Sequence, residues 1–147
     1  MEMKEILKQL REGNHLTQEQ MAQRLLVTRQ AVSRWETGET QPNTETLKLL
    51  SKQFDVSINT LLGAPRQLIC QCCGMPLNED SLISRERDGS FNEDYCKWCY
   101  ADGAFVYPSK EALIDFLVAH MPNPENSGEE DRRARFDVYL SQLKHWK

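Results

Sequence analysis

A mainly helical chain in two parts, the second opening on a small β ribbon stapled through cysteines, is the fold that the sequence predicts. Three observations carry this expectation. Residues 1–62 place apolar side chains at helical spacing, with cap residues between the runs. Residues 67–107 hold all five cysteines and several short extended stretches. From Ser109 the helical spacing returns and continues, across one polar loop, to the end of the sequence. The expected division is residues 1–63 as the first domain, 64–67 as a linker and 68–147 as the second domain.

Within the first domain, Glu5 to Leu10 supplies the apolar positions of an opening helix that Gly13-Asn14 ends. Thr17 then reads as an N-cap, with Gln20 completing a capping box and Met21, Ala22 and Leu25 on the apolar side. After a break at Leu26-Val27, Thr28 caps a third helix with Ala31, Val32 and Trp35 facing inward and Gly38 as its C-cap. Pro42-Asn43 opens a fourth, with Leu47, Leu50 and Phe54 continuing the core, and Ser57 caps a short fifth. Ala64-Pro65-Arg66 reads as linker. In the second domain, Leu82-Ile83 and Phe105-Val106-Tyr107 are extended, and Asp88-Gly89-Ser90 is turn chemistry suited to a hairpin. A helix follows Ser109 with Ala112, Leu113, Phe116 and Leu117 on one face. A final helix from about Glu129 to Lys144 aligns Phe136, Tyr139, Leu140 and Leu143.

Composition removes whole classes of function. With 39% hydrophobic and 27% charged residues and a mean hydropathy of −0.63, the chain reads as soluble and globular. The longest apolar stretch, Ala112 to Ala119, is broken by Asp115 and falls short of the roughly 20 residues a spanning helix needs. The charged N-terminus does not resemble an export signal, and five cysteines, an odd number, suit a reducing cytoplasm and metal binding better than disulfides. Net charge is −4, unevenly shared: residues 1–66 carry nine basic and eight acidic side chains, residues 67–147 nine and fourteen. Any contact with nucleic acid must therefore be local and oriented rather than driven by bulk charge.

Such an oriented contact is what the second and third helices offer. Two short helices joined by a tight turn let the first brace across the phosphate backbone while the second enters the major groove of double-stranded DNA. Arg29, Gln30, Ser33 and Arg34 lie on the polar side of the third helix, opposite Val32 and Trp35. Arg pairs bidentately with guanine and Gln with adenine, each such pair worth about 1–3 kcal/mol of discrimination. Gln18, Thr28, Thr40 and Asn43 are candidates for phosphate contact. The order Gln18, Ala22, then Val27 through Gly38 resembles the Cro/C1-type helix-turn-helix family of transcriptional regulators, over residues 4–62. That resemblance implies a five-helix, lambda-repressor-like DNA-binding domain acting on a two-fold-related operator. One position departs from it: Leu26 stands where the family often has Gly, so either the turn is strained or Leu26 takes another geometry.

The cysteines form two Cys-x-x-Cys pairs, Cys70/Cys73 and Cys96/Cys99, with 22 residues between them. Two thiolates at that spacing on a tight turn point the same way, and a second such turn completes tetrahedral coordination of one structural Zn2+. Cys72 is then the odd thiol, expected to be an exposed or semi-buried spectator, and His15, His120 and His145 lie outside the set. Four thiolates leave no open coordination position, so hydrolysis by metal-activated water is not expected. The run Cys70 to Leu77, with Asp88-Gly89-Ser90 and Tyr95 to Phe105, is similar to a zinc-ribbon family of bacterial proteins. The likeness extends to Trp146 and implies a zinc ribbon with an appended helical pair. About 80 residues with a thin core need such a staple.

The expected function is a sequence-specific, DNA-binding transcriptional regulator, in which the zinc ribbon serves dimerisation, partner contact or sensing. A monomer's base contacts rarely suffice for specific affinity, so a homodimer on half-sites about 34 Å apart is expected. A redox- or metal-responsive sensor and an antitoxin-like interaction adaptor are the alternatives. An enzyme is not expected: there is no nucleophile–base set and no phosphate loop.

Overall fold

The computed structural model describes residues 1–147 and divides into two compact units, Met1–Gln67 with Gly89–Phe91, and Leu68–Asp88 with Asn92–Lys147. The first contains α1 (Met3–Gly13), α2 (Gln18–Leu25), α3 (Arg29–Thr37), α4 (Thr44–Phe54) and α5 (Ile58–Leu61). Their starts follow from side chains that accept orphan first-turn amides. Thr17 accepts from Gln20 N while the Gln20 side chain returns to Thr17 N, closing a capping box. Thr28, Asn43 and Ser57 cap α3, α4 and α5 in the same way, each accepting from the amide three residues on. Gly38, at φ +86°, ends α3.

Helical periodicity turns one face of each helix toward a shared core of Met3, Leu7, Met21, Ala22, Leu25, Val32, Trp35, Leu50 and Leu61. α3 packs against both α1 and α2, and α4 against α2 and α5. Leu47 and Phe54 sit at the margin of this core rather than within it. The turn between α2 and α3 resolves the two geometries open for Leu26: it is left-handed, at φ 56° and ψ 41°, with the side chain 88% exposed. A branched side chain therefore holds a strained backbone and buries almost nothing in return.

In the second unit, β1 (Ile83–Arg85) and β2 (Phe91–Cys96) form one two-stranded sheet, and β3 (Tyr100–Ala101) and β4 (Ala104–Phe105) another. β3 and β4 are antiparallel, with Tyr100 opposite Phe105 and Ala101 opposite Ala104. Asp102 and Gly103 join them with both φ angles positive, the backbone that two-residue hairpins favour. α6 (Lys110–His120), capped by Ser109, packs against α7 (Glu129–Leu140). No helix is long and apolar enough to cross a membrane.

Several sequence expectations shift here. The extended stretch at Leu82 is a 3-10 turn, Asp80–Leu82, and the strand begins at Ile83; of Phe105-Val106-Tyr107 only Phe105 is strand. β2 carries no clear alternation of apolar and polar residues and was not foreseen. On α6 the buried side chains are Leu113, Ile114 and Leu117, while Phe116 is turned outward. α7 stops at Leu140, and Lys144–Trp146 is a separate 3-10 turn.

Because Leu26 is strained and solvated, Leu26→Gly is expected to raise the stability of the first unit by about 1 kcal/mol. Urea unfolding followed by far-UV circular dichroism measures it; a lowered midpoint would mean that Leu26 makes a stabilising contact.

Candidate DNA-reading helix and cysteine centre

Besides the core packing of Val32 and Trp35, one ion pair ties α3 to α1. Arg11 on α1 donates from Nε and Nη2 to the two carboxylate oxygens of Glu36 on α3, at 2.8 and 2.9 Å, and from Nη1 to the Leu16 carbonyl at 2.9 Å. The Glu36 carboxylate is only 5% exposed. A planar fork matched to a carboxylate fixes direction as well as distance, so this pair sets the rotation of α3 about its axis. Val32 and Trp35 then point into the core, and Arg29, Gln30 and Arg34 stand exposed on the other side, with Ser33 half-buried between them.

Of the remaining nucleic-acid candidates, Thr28, Asn43 and Gln18 lie at helix starts. Thr28 Oγ1 accepts from Ala31 N at 3.1 Å and Asn43 Oδ1 from Thr46 N at 2.9 Å, so both oxygens serve as caps. Thr40, exposed, donates its N–H to the Arg34 carbonyl at 3.4 Å beyond the end of α3. Gln18 is half-buried at the first position of α2. Arg34 Nε lies 3.9 Å from the Glu39 carboxylate, an exposed pair too long and too solvated to hold it.

In the second unit, two tight turns bring Cys70, Cys73, Cys96 and Cys99 together, their sulfurs all within 4.8 Å of one another. Three of the four are buried and Cys73 is half-buried. The first turn closes through Gly74 N to Cys70 O at 2.8 Å and the second through Cys99 N to Cys96 O at 3.1 Å. Gly74, at φ +81°, has a further role: a Cβ there would overlap the ring of Tyr139 on α7. Cys73 and Cys96 sulfurs are 3.8 Å apart. A tetrahedron with metal–sulfur bonds of about 2.3 Å has edges of about 3.8 Å, so the donor set fits a four-thiolate ion such as Zn2+.

The sulfurs also interact with one another. Hydrogen bonding with Cys73 holds the Cys70 thiol far below its ordinary range, and the reciprocal bond to Cys70 pushes Cys73 far above. Cys99 is pushed up chiefly by its bonding to Cys70. Four thiols this close together are a donor set that gives up protons when a metal binds. Cys72 differs from its expectation: it is 1% exposed, neither solvent-facing nor semi-buried. No histidine joins the group; His145 instead stacks on Phe105 at a centroid distance of 4.0 Å.

Residues 69–147, more than half of the chain, match the family described as "Putative zinc ribbon domain", and residues 7–61 match the family described as "Helix-turn-helix". The chain is similar to the HTH-type transcriptional activator BcrR of Enterococcus faecalis, at 55% identity over 63 residues, 43% of this chain and 31% of that protein. It is also similar to the uncharacterized HTH-type transcriptional regulator YqaE of Bacillus subtilis (strain 168), at 33% identity over 92 residues, 61% of this chain and 79% of that one. This chain thus spans about a third of BcrR and about four fifths of YqaE. No solved structure matches it.

Two predictions follow from these geometries. Glu36→Gln leaves the Arg11 guanidinium poorly paired and should cost the first unit about 3 kcal/mol, whereas Arg29→Ala, on the exposed face, should stay within about 0.5 kcal/mol; thermal melts of both variants compare them. Burial holds the His145 imidazole below its usual 6.5. Protons therefore bind the unfolded chain more readily, and the stability tied to this group is complete above about pH 6.5 and falls away as acid titrates through the folded value. Melting temperatures across that range should show a slope that His145→Phe reduces.

Proposed function

Because the chain belongs to the helix-turn-helix transcriptional regulators and carries a zinc-ribbon domain, we propose that it regulates transcription by reading a specific DNA site through α3. The observation that carries this reading is the exposed row Arg29, Gln30, Ser33 and Arg34 on a helix whose rotation is fixed by the Arg11–Glu36 pair. Arg29 and Gln30, nearest the N-terminal end of α3, read base edges, with Ser33 and Arg34 following the groove. Gln18, Thr28, Thr40 and Asn43 set the register on the phosphates, with Gln18, Thr28 and Asn43 supported by the amides of the helix starts they occupy.

Cys70, Cys73, Cys96 and Cys99 hold one Zn2+ as a structural ion, in a compartment reducing enough to keep the thiols free. The ion binds the two knuckles together; all four positions are taken by sulfur, so its contribution is to stability. The protein acts as a homodimer on a pseudo-palindrome, because one α3 buries too few base contacts for specific affinity. The acidic second unit, whose charge is repelled by the duplex, is left for dimerisation, partner contact or sensing.

Selection of bound sequences from a random duplex pool tests the proposal. It expects a two-fold-related site, and expects Arg29→Ala to relax preference at one base pair by about 1–3 kcal/mol of discrimination. Uniform weakening on all sequences would move Arg29 to the phosphates, and no enriched site would reject base reading. Full-length protein should contain one zinc per chain by elemental analysis, and Cys96→Ser should lose it together with the folded second unit.

A further inference from the structure

The loop from Cys70 to Cys73 contains two peptide units whose N–H groups both face the Cys70 sulfur: Cys72 N and Cys73 N each lie 3.4 Å from it. A trans peptide directs its carbonyl opposite to its N–H, and on that opposite side both carbonyls are met by the same segment of chain. The His145 backbone N–H donates to the Gln71 carbonyl at 3.0 Å, and the Trp146 indole Nε1 donates to the Cys72 carbonyl at 2.7 Å. Lys144 adds its N–H to Gln71 Oε1 at 3.2 Å and its ammonium to the Asp94 carboxylate at 2.8 Å. The segment is itself seated: Leu143 is buried, the His145 ring stacks on Phe105, and the Trp146 ring lies edge-on to His145.

We propose that Lys144–Trp146 is a strap that closes the first cysteine knuckle, with Trp146 as a positioning residue for the metal centre. By holding the Cys72 carbonyl, Trp146 keeps the Cys73 N–H aimed at the Cys70 sulfur, and His145 does the same for the Cys72 N–H. A peptide whose carbonyl accepts a hydrogen bond is a better donor at its N–H. Two such donors spread the charge of the Cys70 thiolate, so it is less readily taken by a proton or by a competing electrophile. Cys72, whose carbonyl the indole holds, is itself buried, so loosening the strap would open the loop that carries its thiol. The strap thus governs how fast the centre releases its ion and how quickly Cys72 reacts. This inference rests on the reading of the four cysteines as a zinc site.

The experiment follows transfer of zinc from the full-length protein to a chromogenic chelator. Trp146→Phe keeps an aromatic ring and removes only the donor; it should release zinc about tenfold faster, in the range that loss of an outer-shell partner produces. The thiolate-to-metal charge-transfer band of the cobalt-substituted protein should shift, and alkylation of Cys72, read by mass spectrometry, should quicken in parallel. Lys110→Ala is the control: it removes the 2.7 Å pair to Asp137 and the 3.0 Å bond to Ser141 Oγ, which tie α6 to α7, lowering stability without removing any contact of Lys144–Trp146, and should leave zinc release unchanged. Release from Trp146→Phe within about twofold of the parent, an unshifted cobalt band, or equal acceleration by Lys110→Ala would overturn the strap. Parent protein that takes up no zinc would overturn the metal reading, and the strap with it.

Discussion

Residues 68–147 depend on the gathering of four sulfurs into a space 4.8 Å across. The two sheets there have two strands each, below what sustains itself in water, and α6 and α7 share a small buried set of Leu113, Ile114, Leu117 and Leu140. What makes these pieces one body is that each is tied to a knuckle. β2 ends in Cys96, β3 follows Cys99, Tyr139 on α7 covers Gly74, and the C-terminal turn hydrogen-bonds the Cys70–Cys73 loop. Prising the sulfurs apart would release a strand, a hairpin and a helix at once.

The first unit solves the same shortage of core differently. Five short helices, each begun or ended by a specific side chain, bury nine side chains completely or nearly so. Caps define where helices start but not how they rotate. Rotation matters here, because a turn of α3 by one residue in either direction would bring Val32 or Trp35 out of the core toward the exposed side. The bidentate Arg11–Glu36 pair supplies that constraint. Two charged groups are buried for the sake of direction, a use for which an apolar contact is less suited.

Charge is shared unevenly between the two units. A slight positive balance in residues 1–66 suits a surface that must approach phosphates locally, and the acidic excess in 67–147 discourages indiscriminate binding to polyanions. In the function proposed above, specificity rests on the few exposed side chains of α3 rather than on attraction at a distance.

The helices of the first unit were legible because their signals are local: Thr17, Thr28, Asn43 and Ser57 each cap a helix with their own oxygen, and apolar spacing marks the faces. The cysteine pairs were legible for the same reason, since Cys-x-x-Cys builds its turn within four residues. Beyond that range the sequence was silent. Nothing in the spacing of Phe91 to Cys96 marks a strand, because its burial comes from partners elsewhere. Phe116 shares a helical face with Leu113 and Leu117, yet α7 covers only part of that face. Glu36 reads as an ordinary surface acid until Arg11, 25 residues away, meets it. Cys72 reads as a spare thiol until Trp146 closes over its carbonyl. By itself the amino-acid order determined where helices begin, which cysteines pair and which side of α3 is polar, all set by neighbours within a turn or two. The rotation of α3, the burial of Cys72 and the seat of the C-terminus were decided only in three dimensions, because each depends on groups that folding alone brings together.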